Sequence, residues 1–243
     1  MTQRGLTRRR MGLLATGAFA ASACSFAVSP LLAAGVALPS GAFSLTRRLL
    51  RGLRDGKAII VERSWHVAFA QQSRGIAISG EQTSVSVEAP ERLAPIAKIE
   101  QDRSTKAMFP ILLAPDGTIM AAGENTSQTS FVASIASAQR LLETSGFTKS
   151  GAAEQAVYMA QLQKAGSSLL DQLPADLFFP STAPLREARI VALPNGGSGE
   201  FELNWEASVQ DGTALLNAAR REVITRIGSS ERRSSEDWSL TAL

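Results

Sequence analysis

Residues 43–70 read FSLTRRLLRGLRDGKAIIVERSWHVAFA. Two apolar-alternating runs flank Asp55-Gly56, a dipeptide suited to the positive φ values of a two-residue hairpin turn. On the first run, Phe43, Leu45 and Leu49 share a face. On the second, Ile59, Val61, Trp65, Val67 and Phe69 share one, with Arg63 as the exception among them. His66 falls on the opposite face with Glu62 and Ser64. Period-two patterns on both sides of a tight turn predict an antiparallel strand pair over 43–53 and 57–70.

The same grammar continues downstream. Residues 71–75 turn the chain, and 76–88 gives two short strands or one strand bent at Gly80. Ala89-Pro90 stops the sheet. Residues 91–103 read as a helix, with Pro95 near its first turn and Leu93, Ile96 and Ala97 facing in. Strands at 108–113 and 118–122 flank Pro115-Asp116-Gly117 in a second hairpin.

Residues 129–144 carry Phe131, Ile135, Ala138 and Leu142 at helical spacing. Residues 152–173 carry Met159, Leu162, Leu169, Leu170 and Leu173. Residues 146–151 break the pattern, so 127–174 predicts a helical hairpin. A loop over 174–184 holds Phe178 and Phe179. Strand character resumes at 186–193, and a turn follows at 195–199.

Residues 200–209 alternate, with Phe201, Leu203, Trp205, Ala207 and Val209 inward and Glu200, Glu202, Asn204 and Glu206 outward. Residues 213–227 read as an amphipathic helix through Leu216, Ala219, Val223 and Ile227. Trp238 and Leu240 mark a final strand. The whole predicts an α+β fold for residues 40–243. It is a curved antiparallel sheet, an open or half barrel of about eight strands, with the helical hairpin inserted and further helices packed on one face. Helices in blocks argue against a doubly wound nucleotide fold.

Residues 1–39 have another character. Arg4, Arg8, Arg9 and Arg10 open the chain, and no charged residue follows from Met11 to Thr46. A basic start followed by an apolar, small-residue stretch is the pattern of an export signal. Thr7-Arg8-Arg9-Arg10-Met11-Gly12 resembles a twin-arginine export signal, with Met11-Gly12 where that motif prefers Phe-Leu. The resemblance implies folding before translocation to the periplasm; ordinary secretory export is the alternative route. Ala21-Ser22-Ala23-Cys24 resembles a lipoprotein cleavage site that would acylate Cys24, without the usual Leu three positions earlier. An uncut leader would instead anchor the chain, because 11–38 exceeds the about 20 apolar residues that span a bilayer. Pro30 and Pro39 interrupt that run, and cleavage near residues 34–37 fits better.

The formal charge of +3 depends on this leader: without its four arginines, 21 basic residues face 22 acidic ones. No nucleic-acid partner is expected, since phosphate binding needs a basic face. The candidate patch of Arg47, Arg48, Arg51, Arg54 and Lys57 reads as the solvated side of a strand or helix.

One Cys and one His exclude intramolecular disulfides, Cys-rich zinc sites, two-His metal sites and Cys–His catalysis within one chain. The glycine-rich segments 75–80 and 195–199 lack phosphate-loop spacing. No Gly-x-Ser-x-Gly elbow or Ser-x-x-Lys pair is present. Asp116-Gly117-Thr118 and Asp211-Gly212-Thr213 read as turns, and His66 as a surface residue. Glu200, Glu202 and Glu206 read as a solvent-facing row; glycosidase chemistry or calcium binding is the alternative. Trp65, Trp205 and Trp238 all fall on inward faces, in a core or lining an apolar pocket. No catalytic residue, metal or cofactor is expected.

A helical hairpin must bury its stripe, and the concave face bearing Val61, Trp65, Phe69, Phe201, Leu203 and Trp205 offers the surface. Enough curvature leaves an apolar pocket beneath it, rimmed by Phe178 and Phe179. This inferred shape is similar to periplasmic lipoprotein carriers of the half-barrel type. The similarity lies in architecture and in no motif. It points to an exported, non-enzymatic envelope protein that binds a lipid or other apolar small molecule and meets the export machinery through its leader. The alternatives are an exported hydrolase with carboxylates converging from different strands, and a structural envelope protein that contacts other proteins.

Overall fold

A computed structural model describes residues 35–53, 55–73, 75–123, 136, 139–140, 142 and 152–243. The expected leader therefore falls almost wholly outside the described residues.

The alternating runs become strands. β1 (Ala42–Gly52) and β2 (Ala58–Gln72) pair antiparallel, from Ala42 opposite Ala68 to Gly52 opposite Ala58. The hairpin is there, but not as the expected two-residue turn: the Leu53 N–H donates to Lys57 O at 2.7 Å, leaving a three-residue loop in which Gly56 takes a φ of 78° and Asp55 no positive φ. β3 (Gly75–Glu88), β4 (Ile111–Leu113) and β5 (Ile119–Ala122) extend the sheet beyond β2. β6 (Leu185–Ala192), β7 (Ser198–Val209), β8 (Leu216–Ile227) and β9 (Ser230–Ala242) form the other half. The order is β5-β4-β3-β2-β1-β9-β8-β7-β6, antiparallel throughout, curved and not closed. The count is nine strands, because residues 213–227 add one.

That segment corrects the expected helix. The inward residues of β8 are Leu216, Ala219, Arg221, Val223, Thr225 and Ile227, all buried. Val209 pairs with Leu216 and Ser208 with Ala218, so Asn217 is the extra residue of a bulge. The bulge, together with polar Arg221 and Thr225 on the inward face, leaves the apolar residues spaced by three and four. The spacing mimics a helix, but the hydrogen bonding is that of a strand.

β3 is continuous, and its irregularity is not at Gly80. Ser64 faces Ser84 while Trp65 faces Gln82, so Thr83 bulges out. The bulge reverses the alternation: Ile76, Ile78 and Gln82 share a face before it, Val85 and Val87 after it. At Gly80 a Cβ would come within 2.3 Å of Phe109 Cζ, so the glycine makes room for that ring.

α1 (Ala94–Asp102) follows a 3-10 turn at Glu91–Leu93. Of the expected inward set, Leu93 and Ala97 are half-buried, whereas Ile96 is corrected: it is 53% exposed. α2 (Ala152–Leu170) is the second limb of the expected hairpin. The first limb, 129–144, lies outside the described residues except Ala136, Gln139, Arg140 and Leu142, which are helical.

β5 and β6 are the two edges of the sheet. Residues 123–184 therefore lead from one edge to the other. Within that stretch α2 runs along β8: Gln155 donates to Ile227 O, Gly166 meets Val223, and Gln172 O accepts from Arg221. Met159, Leu162, Ala165, Leu169 and Leu170 of α2 pack with Leu49, Val61, Phe201, Leu203, Val223 and Ile227. Gly166 lets the helix approach closely: a Cβ there would lie 2.8 Å from Val223 Cγ1. A second apolar cluster gathers Phe43, Leu45, Trp65, Val67, Phe69, Phe178, Trp205 and Trp238. Among the described residues, no helix is long and apolar enough to cross a membrane.

Candidate functional site

The inward face changes chemistry halfway along the four central strands. β2 places Arg63 between Val61 and Trp65, and β1 places Arg47 between Leu45 and Leu49. β9 places Glu236 between Ser234 and Trp238, and β8 places Arg221 between Ala219 and Val223. Arg47 lies opposite Arg63, and Arg221 opposite Glu236. Together they form a charged belt between the two apolar clusters.

Glu236, fully buried, is the centre of the belt. Arg47 Nε and Nη2 donate to its Oε2 at 2.8 and 2.6 Å, and Arg221 Nη2 stands 2.5 Å from Oε1. Burial pushes the Arg221 guanidinium below its usual range, while Glu236 pulls it back. Arg47 also lies 5.0 Å from the centre of the Trp238 ring, within cation–π reach, and Trp238 stacks on Trp65 at 6.4 Å.

The belt arginines also receive both helix ends. Arg47 Nη2 donates to Leu170 O, and Arg221 Nη2 to Gln172 O at 2.5 Å. Arg63 Nη2 donates to Glu100 O at 2.5 Å and Nη1 to Arg103 O at 3.2 Å. The last carbonyls of a helix lack intrahelical partners and carry its negative dipole end, which these cations satisfy. Arg63 Nη1 also donates to Gln82 Oε1, the residue that the β3 bulge turns inward. Thr105 Oγ1 donates to the same oxygen and accepts from Trp65 Nε1 at 2.9 Å.

A cavity of about 460 Å³ opens over this belt. Arg47, Arg63 and Trp65 line its sheet side. Glu100, Arg103, Ser104, Thr105, Ala107 and Met108 line it from α1 and the segment after it. Residues 119–122 of β5 line it, as do Ser168, Asp171, Gln172 and Leu173 at the end of α2. Glu100 Oε1 is 3.2 Å from Arg63 Nη2, and Asp171 Oδ1 is 2.5 Å from Arg51 Nη2.

Of the expected pocket residues, only Trp65 lines this cavity. Val61, Phe201 and Leu203 are packed under α2, whereas Phe69, Phe178 and Trp205 belong to the other cluster with Phe179 against it. Phe178 is fully buried, at no rim. Arg47 and Arg51, expected on a solvated side, turn inward instead; Arg48, 3.8 Å from Glu62, and Lys57 are exposed as expected, and Arg54 lies outside the described residues. Of the belt, the alternation marked only Arg63. Arg47 was hidden by the run of basic residues around it, Arg221 by the helix-like spacing of β8, and Glu236 by its polar neighbours.

The carboxylate row of β7 is also corrected. Glu206 is exposed, but Glu202 is only 2% exposed. It accepts from Arg226 Nη1 at 2.7 Å and Asn204 Nδ2 at 3.1 Å, with Arg186 Nε at 2.8 Å. The Arg226 hydrogen bond holds the Glu202 carboxyl below its usual range despite burial. Glu200 stands 3.3 Å from the same Arg226. The row is an ion-pair network across β6, β7 and β8. His66 is exposed, as expected. Among the described residues, no three His, Cys, Asp or Glu side chains gather as a metal site. No protein-family model matches the chain, and no curated protein matches it in sequence.

Proposed function

We propose that the chain is an exported, non-enzymatic envelope protein that holds a lipid or other apolar-bodied small molecule between the sheet and the segments that cross it. The observation that carries this reading is the cavity of about 460 Å³ beneath the end of α2. Its volume lies in the range of small-ligand sites, about 300–1,000 Å³. Met108, Ala122 and Leu173, each half-buried on its wall, and the exposed Met120 supply apolar surface for the ligand body. The export half of the reading rests on the basic start and the uncharged run that follows it.

The test is solvent extraction of protein purified from the periplasm, followed by mass spectrometry. An acyl-bearing compound in stoichiometric yield is expected. Ala107→Trp, at an exposed position of the cavity wall, should abolish both the extract and the binding of a fluorescent fatty acid without lowering the melting temperature. A reporter fused after Ser40 should be active only outside the inner membrane. Protein that binds no fatty acid, or a cytoplasmically active reporter, would overturn the corresponding half.

A further inference from the structure

We infer that the ligand of this cavity carries a single negative charge, seated between Arg47 and Arg103; the inference rests on the binding reading above. Among the described residues, five arginines (Arg47, Arg51, Arg63, Arg103 and Arg221) and three carboxylates (Glu100, Asp171 and Glu236) stand around the cavity and belt. The excess is two positive charges. The two helix C-termini that end on the belt each offset about half a charge. Close to one positive charge is left over, in a place where both nearby carboxylates are already taken by Arg63 and Arg51.

The hydrogen-bond inventory points the same way. The bonds of Arg47 use Nε and Nη2, which leaves Nη1 without an acceptor among the described residues. Arg103 makes one loose ion pair, 3.6 Å from Glu100, and its side chain is 66% exposed at the cavity wall. Ser104 Oγ accepts from Lys106 N and keeps its own proton free. The cavity thus presents donors in surplus over acceptors, which suits an acceptor-only head group such as a carboxylate or a phosphodiester. A cation would leave those donors unmatched, and a neutral alcohol could accept from them without offsetting the positive charge.

Isothermal titration of the full-length mature protein at low salt tests this with four twelve-carbon or single-chain probes: laurate, dodecanol, dodecyltrimethylammonium and lysophosphatidylglycerol. Laurate or lysophosphatidylglycerol should bind at least about tenfold tighter than dodecanol, the gain expected of one charge-assisted hydrogen bond. The tighter of the two anions identifies the source as a free fatty acid or a phospholipid. Arg103→Gln, at an exposed side chain, should bring the anion affinity down to near that of dodecanol; Lys98→Gln, which removes a charge outside the cavity lining, should retain the preference. Dodecanol binding as tightly as both anions would overturn the charged head group and leave the apolar-ligand reading intact. No binding of any probe would overturn both.

Discussion

Glu202 points away from the core of the sheet, yet Arg186, Asn204 and Arg226 close over its carboxylate. Alternation assigns a side chain to a face. It does not say whether neighbours on that face will cover it, and here two arginines from flanking strands do. A carboxyl whose folded value is depressed adds stability above its unfolded value and loses that contribution as pH falls through the folded value. Glu202 is such a group. Glu202→Gln should therefore lose about 1–3 kcal/mol at pH 7, measured by urea unfolding, since a hydrogen-bonded buried charge is removed while its partly exposed partners can hydrate. The gap from wild type should close as the pH drops below the carboxylate range. Glu206→Gln, exposed on the same strand face, should change stability by no more than about 0.5 kcal/mol. A Glu202→Gln loss that does not vary with pH would rule out the ion-pair account.

α2 depends on its one glycine for its distance from the sheet. Gly166 faces Val223 Cγ1 and Phe201 Cε2, at 2.8 and 3.1 Å from where a Cβ would sit. Gly166→Val forces two packed side chains and the helix apart, and should cost about 1–3 kcal/mol in thermal or urea unfolding. Lys164→Ala, exposed two residues earlier, should be close to neutral. Neutrality of Gly166→Val would mean that the helix does not approach the sheet so closely. The hairpins at Asp55-Gly56 and Asp116-Gly117 were legible because their turn chemistry is local, and β7 because its inward face is wholly apolar. β8 was not, because its inward face carries Arg221 and Thr225, and Asn217 breaks its register. The elements that serve the cavity are those whose pattern departs from simple alternation: Arg63 on β2, the bulge that turns Gln82 inward, and Arg221 on β8. The same departures that make the site make it hard to read from the sequence.

Across the molecule, the charged belt does two jobs that a purely apolar interior would not. It splits the inward face into two apolar clusters, and it fixes where the helices end, since Arg47 and Arg221 hold the end of α2 and Arg63 that of α1. The cavity lies where these ends meet, over strands that join the first half of the sheet to the second through β1 and β9. Among the described residues, Glu236 is the one anion that Arg47 and Arg221 share. Removing it leaves two cations facing each other out of water, and a broken buried pair costs about 3–5 kcal/mol. Glu236→Gln should show a loss of that size in urea unfolding. Arg221→Met alone strands the opposite charge less severely, because Arg47 still neutralises Glu236. In the double variant Glu236→Gln with Arg221→Met, one of the two unpaired cations is gone, so its loss should fall well short of the sum of the two single losses. Simple additivity in that cycle would show that the two residues act independently and that the belt is not a unit.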